Sequence, residues 1–243
     1  MELNRLVLTA SGVAKLTPEE RTFLALAGQF SNDLTVLHKL MTVSFREPPD
    51  ELEHKANSVL VGVLLKTLAS KLCQGWEIVA KAFDGAKVGK AEWLRANGAL
   101  QAALAQLRLY FGNPNPIADI RNQFGSHYDT GPMSSHLDAV LAENGFEMLY
   151  GDKVANAFYM SSELATWSAV LGTTDDEQFK AKMRALVLEV AARSGEFFDF
   201  LNLVAEAFCK HVVKDLGGDL HKEGATQVVC VEASDAVLPL FAA

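Results

Sequence analysis

Cysteine is scarce in this chain of 243 residues. The three cysteines, Cys73, Cys209 and Cys230, are an odd number, lie far apart in sequence and form no Cys-x-x-Cys pair. A disulfide framework or a structural zinc site requires paired or closely spaced cysteines. The pattern therefore predicts reduced thiols, which are typical of intracellular proteins.

Long apolar runs and a secretion signal are also missing. The longest apolar run, residues 59–65, contains Gly62 and falls short of the roughly 20 apolar residues that a membrane-spanning helix needs. Residues 1–16 carry Arg5 and Lys15, but they have neither a long apolar segment nor a cleavage site of small residues. We expect a cytoplasmic protein that makes no contact with a membrane.

Basic residues are fewer than acidic ones. The chain has 22 Lys and Arg against 30 Asp and Glu, which gives a net charge of −8. This balance disfavours a protein that coats nucleic acid with a broad basic surface, although it leaves room for a small basic site. Apolar residues make up 49% and charged residues 21%, so the length and composition fit one globular domain, or one domain with an appendage.

Common catalytic and nucleotide-binding motifs are missing as well. The sequence contains no GxGxxG, GxxxxGK[ST], HExxH or GxSxG pattern. His127 and His136 are nine positions apart, a spacing that gives no metal-binding geometry, and no third ligand can be nominated. We therefore expect neither a metal nor a cofactor.

Helix start and stop signals cover most of the chain. Thr17-Pro18-Glu19-Glu20 is a capping box that opens a helix ending at Pro48-Pro49, and Asp50 caps the next one. Further helices are predicted by apolar residues at helical spacing. The predicted helices after the first are residues 51–83, 90–111, 117–128, 134–143, 161–171 and 174–216. The last begins with a capping box at Thr174, and Ser194-Gly195 inside it would allow a kink or a division into two helices.

Two short segments predict β-structure. Residues 146–149 and 156–160 flank a turn and predict a small hairpin, and residues 226–232 are a strand candidate that would add to it. The predicted fold is therefore all-α. It is an up-and-down helical bundle over residues 1–219 with a hairpin insertion near 146–160, followed by a C-terminal tail over 220–243.

The helix predicted over residues 117–128 carries the side chains most suited to chemistry. Its apolar residues anchor one face. Arg121 and Asn122 lie outside that face, and His127 lies at the helix end. Arg121 and His127 lie about 120° apart on a regular helix, a gap that the long arginine can bridge. Gly125 would let the last turn tighten or open, which would bring the imidazole of His127 closer to Arg121.

Arg121, Asn122 and His127 follow the order Arg, polar residue and His after a short spacer. Within a helical bundle this arrangement resembles the HEPN superfamily (higher eukaryotes and prokaryotes nucleotide-binding), and residues 71–77 add a general likeness to its abortive-infection members. The resemblance implies a metal-independent endoribonuclease, commonly a homodimer whose two Arg-His motifs meet in a cleft. It also implies the toxin of a toxin–antitoxin or phage-defence system, with an antitoxin protein as partner.

These residue types suit cleavage of RNA. Neutral His127 would take the proton of the ribose 2′-OH or protonate the leaving oxygen. Arg121 would hold the scissile phosphate and stabilise its developing charge, and Asn122 would orient the histidine or the phosphate. Attack by the 2′-OH would confine the reaction to RNA and leave a cyclic phosphate.

Three alternatives stay open. In the first, Arg121 pairs with Asp119 or another carboxylate, and His127 caps the helix C-terminus. In the second, the chain is a non-catalytic helical dimer that binds a protein partner or a nucleotide, as its acidic balance favours. In the third, it is an unrelated helical bundle with a small-molecule pocket. A large apolar cavity near Trp76 or Trp167 would support this alternative.

Overall fold

The computed structural model describes residues 2–45, 48, 50–122, 130–151, 157–228 and 236. Within these residues the chain forms nine α-helices and four strands, which confirms the predicted all-α bundle with a small hairpin. The helices are α1 (Ala10–Val13), α2 (Pro18–Ser44), α3 (Glu51–Ile78), α4 (Glu92–Arg95), α5 (Gly98–Phe111), α6 (Pro116–Ile120), α7 (Thr130–Asn144), α8 (Met160–Leu171) and α9 (Asp176–Lys210). The strands are β1 (Glu2–Leu8), β2 (Leu149–Tyr150), β3 (Ala157–Phe158) and β4 (Leu220–Gln227).

The predicted starts of the first two long helices are confirmed. At the start of α2, the Thr17 N–H donates to Glu20 Oε2 at 2.8 Å and the Glu20 N–H donates to Thr17 Oγ1 at 3.2 Å. At the start of α3, Asp50 Oδ1 accepts from the N–H groups of Leu52 and Glu53 at 2.8 and 3.2 Å. Both caps satisfy backbone donors that have no partner inside the helix.

The prediction of one continuous helix over residues 90–111 is wrong. Two helices, α4 and α5, take its place, and Asn97 lies between them in an extended conformation. The Asn97 side chain accepts a hydrogen bond from the Leu100 N–H at 3.1 Å and so caps α5. Asparagine inside an apolar helical pattern competes for backbone donors in this way, and here the cap starts a new helix.

The predicted segment from 174 to 216 is one α-helix, α9, followed by a π-helical segment at His211–Asp215. The helix passes through Ser194-Gly195 without a break. Its N-cap lies one residue later than predicted, because the carboxylate of Asp175 accepts from the Gln178 N–H at 2.9 Å and acts as the cap in place of Thr174.

Strand β4 does not join the hairpin. Instead it pairs antiparallel with β1, a strand that the sequence patterns did not predict. The strand ends meet because the Thr9 N–H donates to the Asp219 carbonyl at 3.1 Å, and because a Cβ on Gly218 would lie only 2.9 Å from the Cα of Gly12. Of the strand candidate over residues 226–232, the part from 229 onward lies outside the described residues. The predicted hairpin itself is present as β2 and β3, with Leu149 opposite Phe158.

Helix α3 and its π-helical continuation over Val79–Gly85 form a long apolar segment. By length and composition alone, this is one helix in the described chain that could cross a membrane, and half of its most apolar window is buried inside the protein. Leu65, Leu68 and Leu72 of this helix are buried. Core helices of globular proteins have the same composition.

Packing groups the chain into two compact units that interleave along the sequence. Among the described residues, the first unit draws on 2–33, 74–113 and 193–228, and the second draws on 34–73, 114–192 and residue 236. The predicted boundary between residues 219 and 220 stays a prediction.

Aromatic rings fill the core of the first unit. The ring of Phe23 lies 4.9 Å from that of Phe83 and 6.2 Å from that of Phe208, and Phe83 meets Phe200 edge-on at 5.7 Å. All four rings are buried. Such pairs add about 0.5–1.5 kcal/mol each beyond the area they bury, so this cluster holds the segments of the unit together.

A pair of helical glycines tests the packing of the first unit. A Cβ on Gly75 would lie within 2.7 Å of three ring carbons of Phe30, whereas a Cβ on Gly195 would meet no neighbouring atom. We expect Gly75→Ala to lower the free energy of unfolding by about 1–3 kcal/mol through overpacking. We expect Gly195→Ala to raise it by about 0.5–1 kcal/mol. Urea unfolding measures both, and equal effects would contradict the packing at Gly75.

Candidate functional site

The predicted RNA-cleaving segment begins at α6. Asn115 caps this helix, because its Oδ1 accepts from the Ala118 N–H at 2.9 Å, and Pro116 occupies the first helical position. Ile117 and Ile120 are buried and anchor the helix. The cap and the two isoleucines together fix the direction in which the chain leaves α6.

Arg121 and Asn122 follow directly in π-helical backbone. The Arg121 side chain is half-buried, whereas Asn122 is exposed. The guanidinium Nη1 of Arg121 donates to Asn122 Oδ1 at 3.3 Å. These two predicted site residues therefore lie side by side at the end of a fixed helix.

The third predicted residue, His127, belongs to residues 123–129, which lie outside the described residues. Gly125 lies in the same segment. The joint role of Arg121, Asn122 and His127 therefore stays a prediction, and the part of the site that the structure describes is its arginine–asparagine half.

A depression of about 350 Å³ lies beside α6 in the second unit. Asp119, Lys182 and Glu189 are among its lining residues, while Arg121 is not. The Lys182 ammonium donates to the carbonyl of Leu171 at 2.8 Å. Because carboxylates outnumber ammonium groups here, this depression is unfavourable for a phosphate.

A larger cavity of about 570 Å³ lies elsewhere in the second unit, beside Trp167. This volume is typical of small-molecule sites. Its walls are mostly apolar, and the apolar side chains are Phe45, Val61, Met160, Leu164, Trp167, Phe179 and Met183. It is the kind of cavity that the small-molecule alternative predicted near Trp76 or Trp167.

A partly buried ion pair stands at one wall of this cavity. The Lys66 ammonium donates to both carboxylate oxygens of Glu163, at 2.8 and 3.0 Å, and the Trp167 Nε1–H donates to Glu163 Oε1 at 2.8 Å. The side chains of Lys66 and Glu163 are only 14% and 17% exposed. A Cβ on Gly62 would lie within 2.6 Å of Trp167 Nε1, so glycine is what allows these groups to approach α3.

A second ion pair lies at the rim. Lys55 donates to Glu147 Oε1 at 2.6 Å, and this hydrogen bond raises the pKa of the Lys55 ammonium above its ordinary value. The Ser161 hydroxyl accepts from the Glu147 N–H at 2.7 Å and donates to the Gly145 carbonyl at 3.1 Å. The backbone that carries Glu147 is thereby fixed to the start of α8.

Sequence patterns missed both ion pairs. Their partners are 92 and 97 residues apart, and no local motif links residues at such distances. The one usable signal was Gly62 in the middle of an otherwise apolar run, because a glycine inside a strong helix often marks a close approach by a neighbour. Trp167, near which the third alternative expected a cavity, is buried.

Metal ligation and thiol chemistry have little support in the described part of the chain. Within those residues no group of three His, Cys, Asp or Glu side chains is placed to hold a metal ion. Cys73 and Cys209 are free thiols, and burial raises the pKa of Cys209. His211 lies in the first unit, stacked on Trp93 with the ring centroids 4.2 Å apart.

Comparison with known proteins adds no relative: no protein-family model, curated protein or solved structure matches this chain. The resemblance to the HEPN superfamily therefore depends on the motif residues themselves and on their helical setting.

The wall ion pair can be tested by a double-mutant cycle. We expect Glu163→Gln combined with Lys66→Met to reveal a coupling of about 1–3 kcal/mol in the free energy of unfolding, because both groups are largely shielded from water. The control is the solvent-exposed pair Lys180–Glu177, whose N and O atoms are 3.8 Å apart. Its coupling should stay below about 0.5 kcal/mol. Equal couplings in urea unfolding would contradict the shielding of Glu163.

Proposed function

We propose that this chain is a metal-independent endoribonuclease that uses Arg121, Asn122 and His127. The observation that supports the proposal is the pairing of Arg121 with Asn122, 3.3 Å apart, immediately after a helix whose direction is fixed by its Asn115 cap. An arginine in this position has part of its surface open to solvent and a polar neighbour that restrains it. This is a suitable arrangement for binding a phosphodiester.

In the proposed reaction, neutral His127 takes the proton of a ribose 2′-OH. The 2′-oxygen attacks the adjacent phosphorus, and the bond from phosphorus to the 5′-oxygen breaks. The second copy of His127 in a homodimer, in its protonated form, gives a proton to the leaving 5′-oxygen. Arg121 donates two hydrogen bonds to the phosphate oxygens as charge builds on them, and Asn122 steadies the guanidinium. The products are a 2′,3′-cyclic phosphate and a 5′-hydroxyl.

The charge distribution limits how RNA would bind. The net charge is −8, and the depression next to α6 is lined by Asp119 and Glu189. RNA would therefore be held locally, through few phosphate contacts, and its affinity would depend only moderately on salt. We infer a cytoplasmic homodimer without a membrane partner that acts as the toxin of a toxin–antitoxin or abortive-infection system, restrained by an antitoxin protein.

The test is cleavage of a synthetic RNA in the presence of EDTA. We expect Arg121→Ala and His127→Ala each to reduce the cleavage rate by about 100-fold or more, since a positioned acid–base group contributes about 10²–10⁴-fold and a donor that stabilises developing charge about 10²–10³-fold. The matched controls are Arg95→Ala and His221→Ala, because both residues are exposed and neither belongs to α6 or lines the depression beside it. The product should carry a 2′,3′-cyclic phosphate. An all-deoxy substrate should not be cleaved, because it lacks the attacking 2′-OH. Cleavage that persists in both site variants, or that needs a divalent ion, would exclude the mechanism.

A second candidate is a non-catalytic helical dimer that binds a protein partner or a nucleotide. The acidic lining beside α6, with Asp119 and Glu189 against Lys182, favours a partner other than a polyanion. Light scattering and RNA cleavage together separate the two candidates. A homodimer in which the wild type and both site variants are equally inactive on RNA would support this second function.

A further inference from the structure

The cavity beside Trp167 is separate from the residues of the proposed nuclease, because neither Arg121 nor Asn122 lines it. Its apolar walls are incompletely buried: Val61, Met160, Phe179 and Met183 are half-buried, and Leu164 is exposed. Apolar surface gathered around a concave site is favourable for an apolar ligand that removes it from water. The two methionines have flexible, polarisable side chains that can follow the shape of such a ligand.

The charges at the cavity cancel. Lys66 is bonded to Glu163 at the wall, and Lys55 is bonded to Glu147 at the rim, so these two positive and two negative groups compensate each other. His54 also lines the cavity, and it is exposed to solvent. Glu51 also lies 3.7 Å from Lys55, but its side chain is 84% exposed and water screens its charge. A charged ligand group buried here would find no uncompensated counterion, and burial of an unpaired charge is costly.

Hydrogen-bonding groups remain for a polar head. Asn57 lines the cavity and is buried, and its Nδ2–H donates to the Ser44 carbonyl at 2.8 Å. One N–H of the amide is engaged in this way, so Asn57 offers a ligand Oδ1 as an acceptor and its second N–H as a donor. The carboxylate oxygens of Glu147 and Glu163 are acceptors too. The polar groups at the cavity therefore suit a head that donates a hydrogen bond and carries no charge.

We propose that this cavity binds a neutral amphipathic small molecule, with an apolar body against Trp167, Leu164 and the methionines and a hydroxyl or amide head toward Asn57 and the Lys55–Glu147 pair. The ion pairs select against charged analogues of the same size. This activity is independent of RNA cleavage, since it uses none of the residues assigned to that reaction.

Binding is measured with N-phenyl-1-naphthylamine, a neutral fluorophore, displaced by ligands of one chain length that differ in head charge. We expect 1-octanol to displace the probe at a concentration at least tenfold lower than octanoate or octylamine requires. Absence of saturable probe binding would overturn the proposal, and so would displacement by octanoate or octylamine as effective as that by 1-octanol.

Filling the cavity provides the positional control. We expect Leu164→Trp to weaken probe binding at least tenfold, while Leu188→Trp, at an exposed position of α9 outside the cavity, leaves it unchanged. Circular dichroism verifies that each variant is folded, and Val61→Phe replaces Leu164→Trp if the latter does not fold. Unchanged probe binding in a folded cavity-filling variant would overturn the proposal.

Charge variants at the rim separate selectivity from a merely structural role. Glu147→Gln removes the hydrogen-bonded carboxylate of Lys55 and leaves only the exposed Glu51 near it, so octanoate should displace the probe at a concentration at least fivefold lower than in the wild type. Lys55→Met leaves Glu147 uncompensated, so octylamine should displace the probe at a concentration lower than in the wild type by a similar factor. A general loss of packing would weaken all three ligands alike and would contradict the proposed role of the ion pairs.

Discussion

The close approach of neighbouring side chains to the backbone of α3 is the constraint on which both units depend. Gly62 admits the Glu163–Trp167 pair in the second unit, and Gly75 admits the ring of Phe30 in the first. At each position a Cβ would collide with the partner, so the absence of a side chain defines where the partner lies. A long apolar helix provides the surface for burial, and its glycines decide how that surface is used.

In the second unit, this approach has an electrostatic consequence. The carboxylate of Glu163 is largely shielded from water, and it is tolerated there because Lys66 and Trp167 supply three hydrogen bonds to it. A shielded charge without such partners would destabilise the fold. At the rim Glu147 is paired with Lys55, and both side chains there are more than a third exposed. The carboxylates of Glu147 and Glu163 that line the cavity are thus both paired, and the cavity walls are mostly apolar.

The candidate catalytic segment follows a different physical logic, because its position is set locally. The Asn115 cap and the buried Ile117 and Ile120 fix α6, and Arg121 then emerges beside Asn122. The net charge of −8 is consistent with a nuclease only if the contacts with RNA are few and confined to this segment. The two proposed activities thus use separate surfaces of the second unit and separate kinds of interaction.

The sequence by itself determined the helical class of the fold, most helix starts and the small hairpin. These features depend on hydrogen bonds between residues only two or three positions apart, as between Thr17 and Glu20, and on apolar periodicity within one segment. It also contained the signal for the break at Asn97, although an apolar pattern on both sides concealed it.

Only the tertiary structure decided that β1 pairs with β4, that Lys66 meets Glu163, and that a cavity opens beside Trp167. Each of these features joins residues far apart in the chain. Their meeting depends on the packing of whole helices and on close approaches at glycines such as Gly62 and Gly218, which no local pattern of residues encodes.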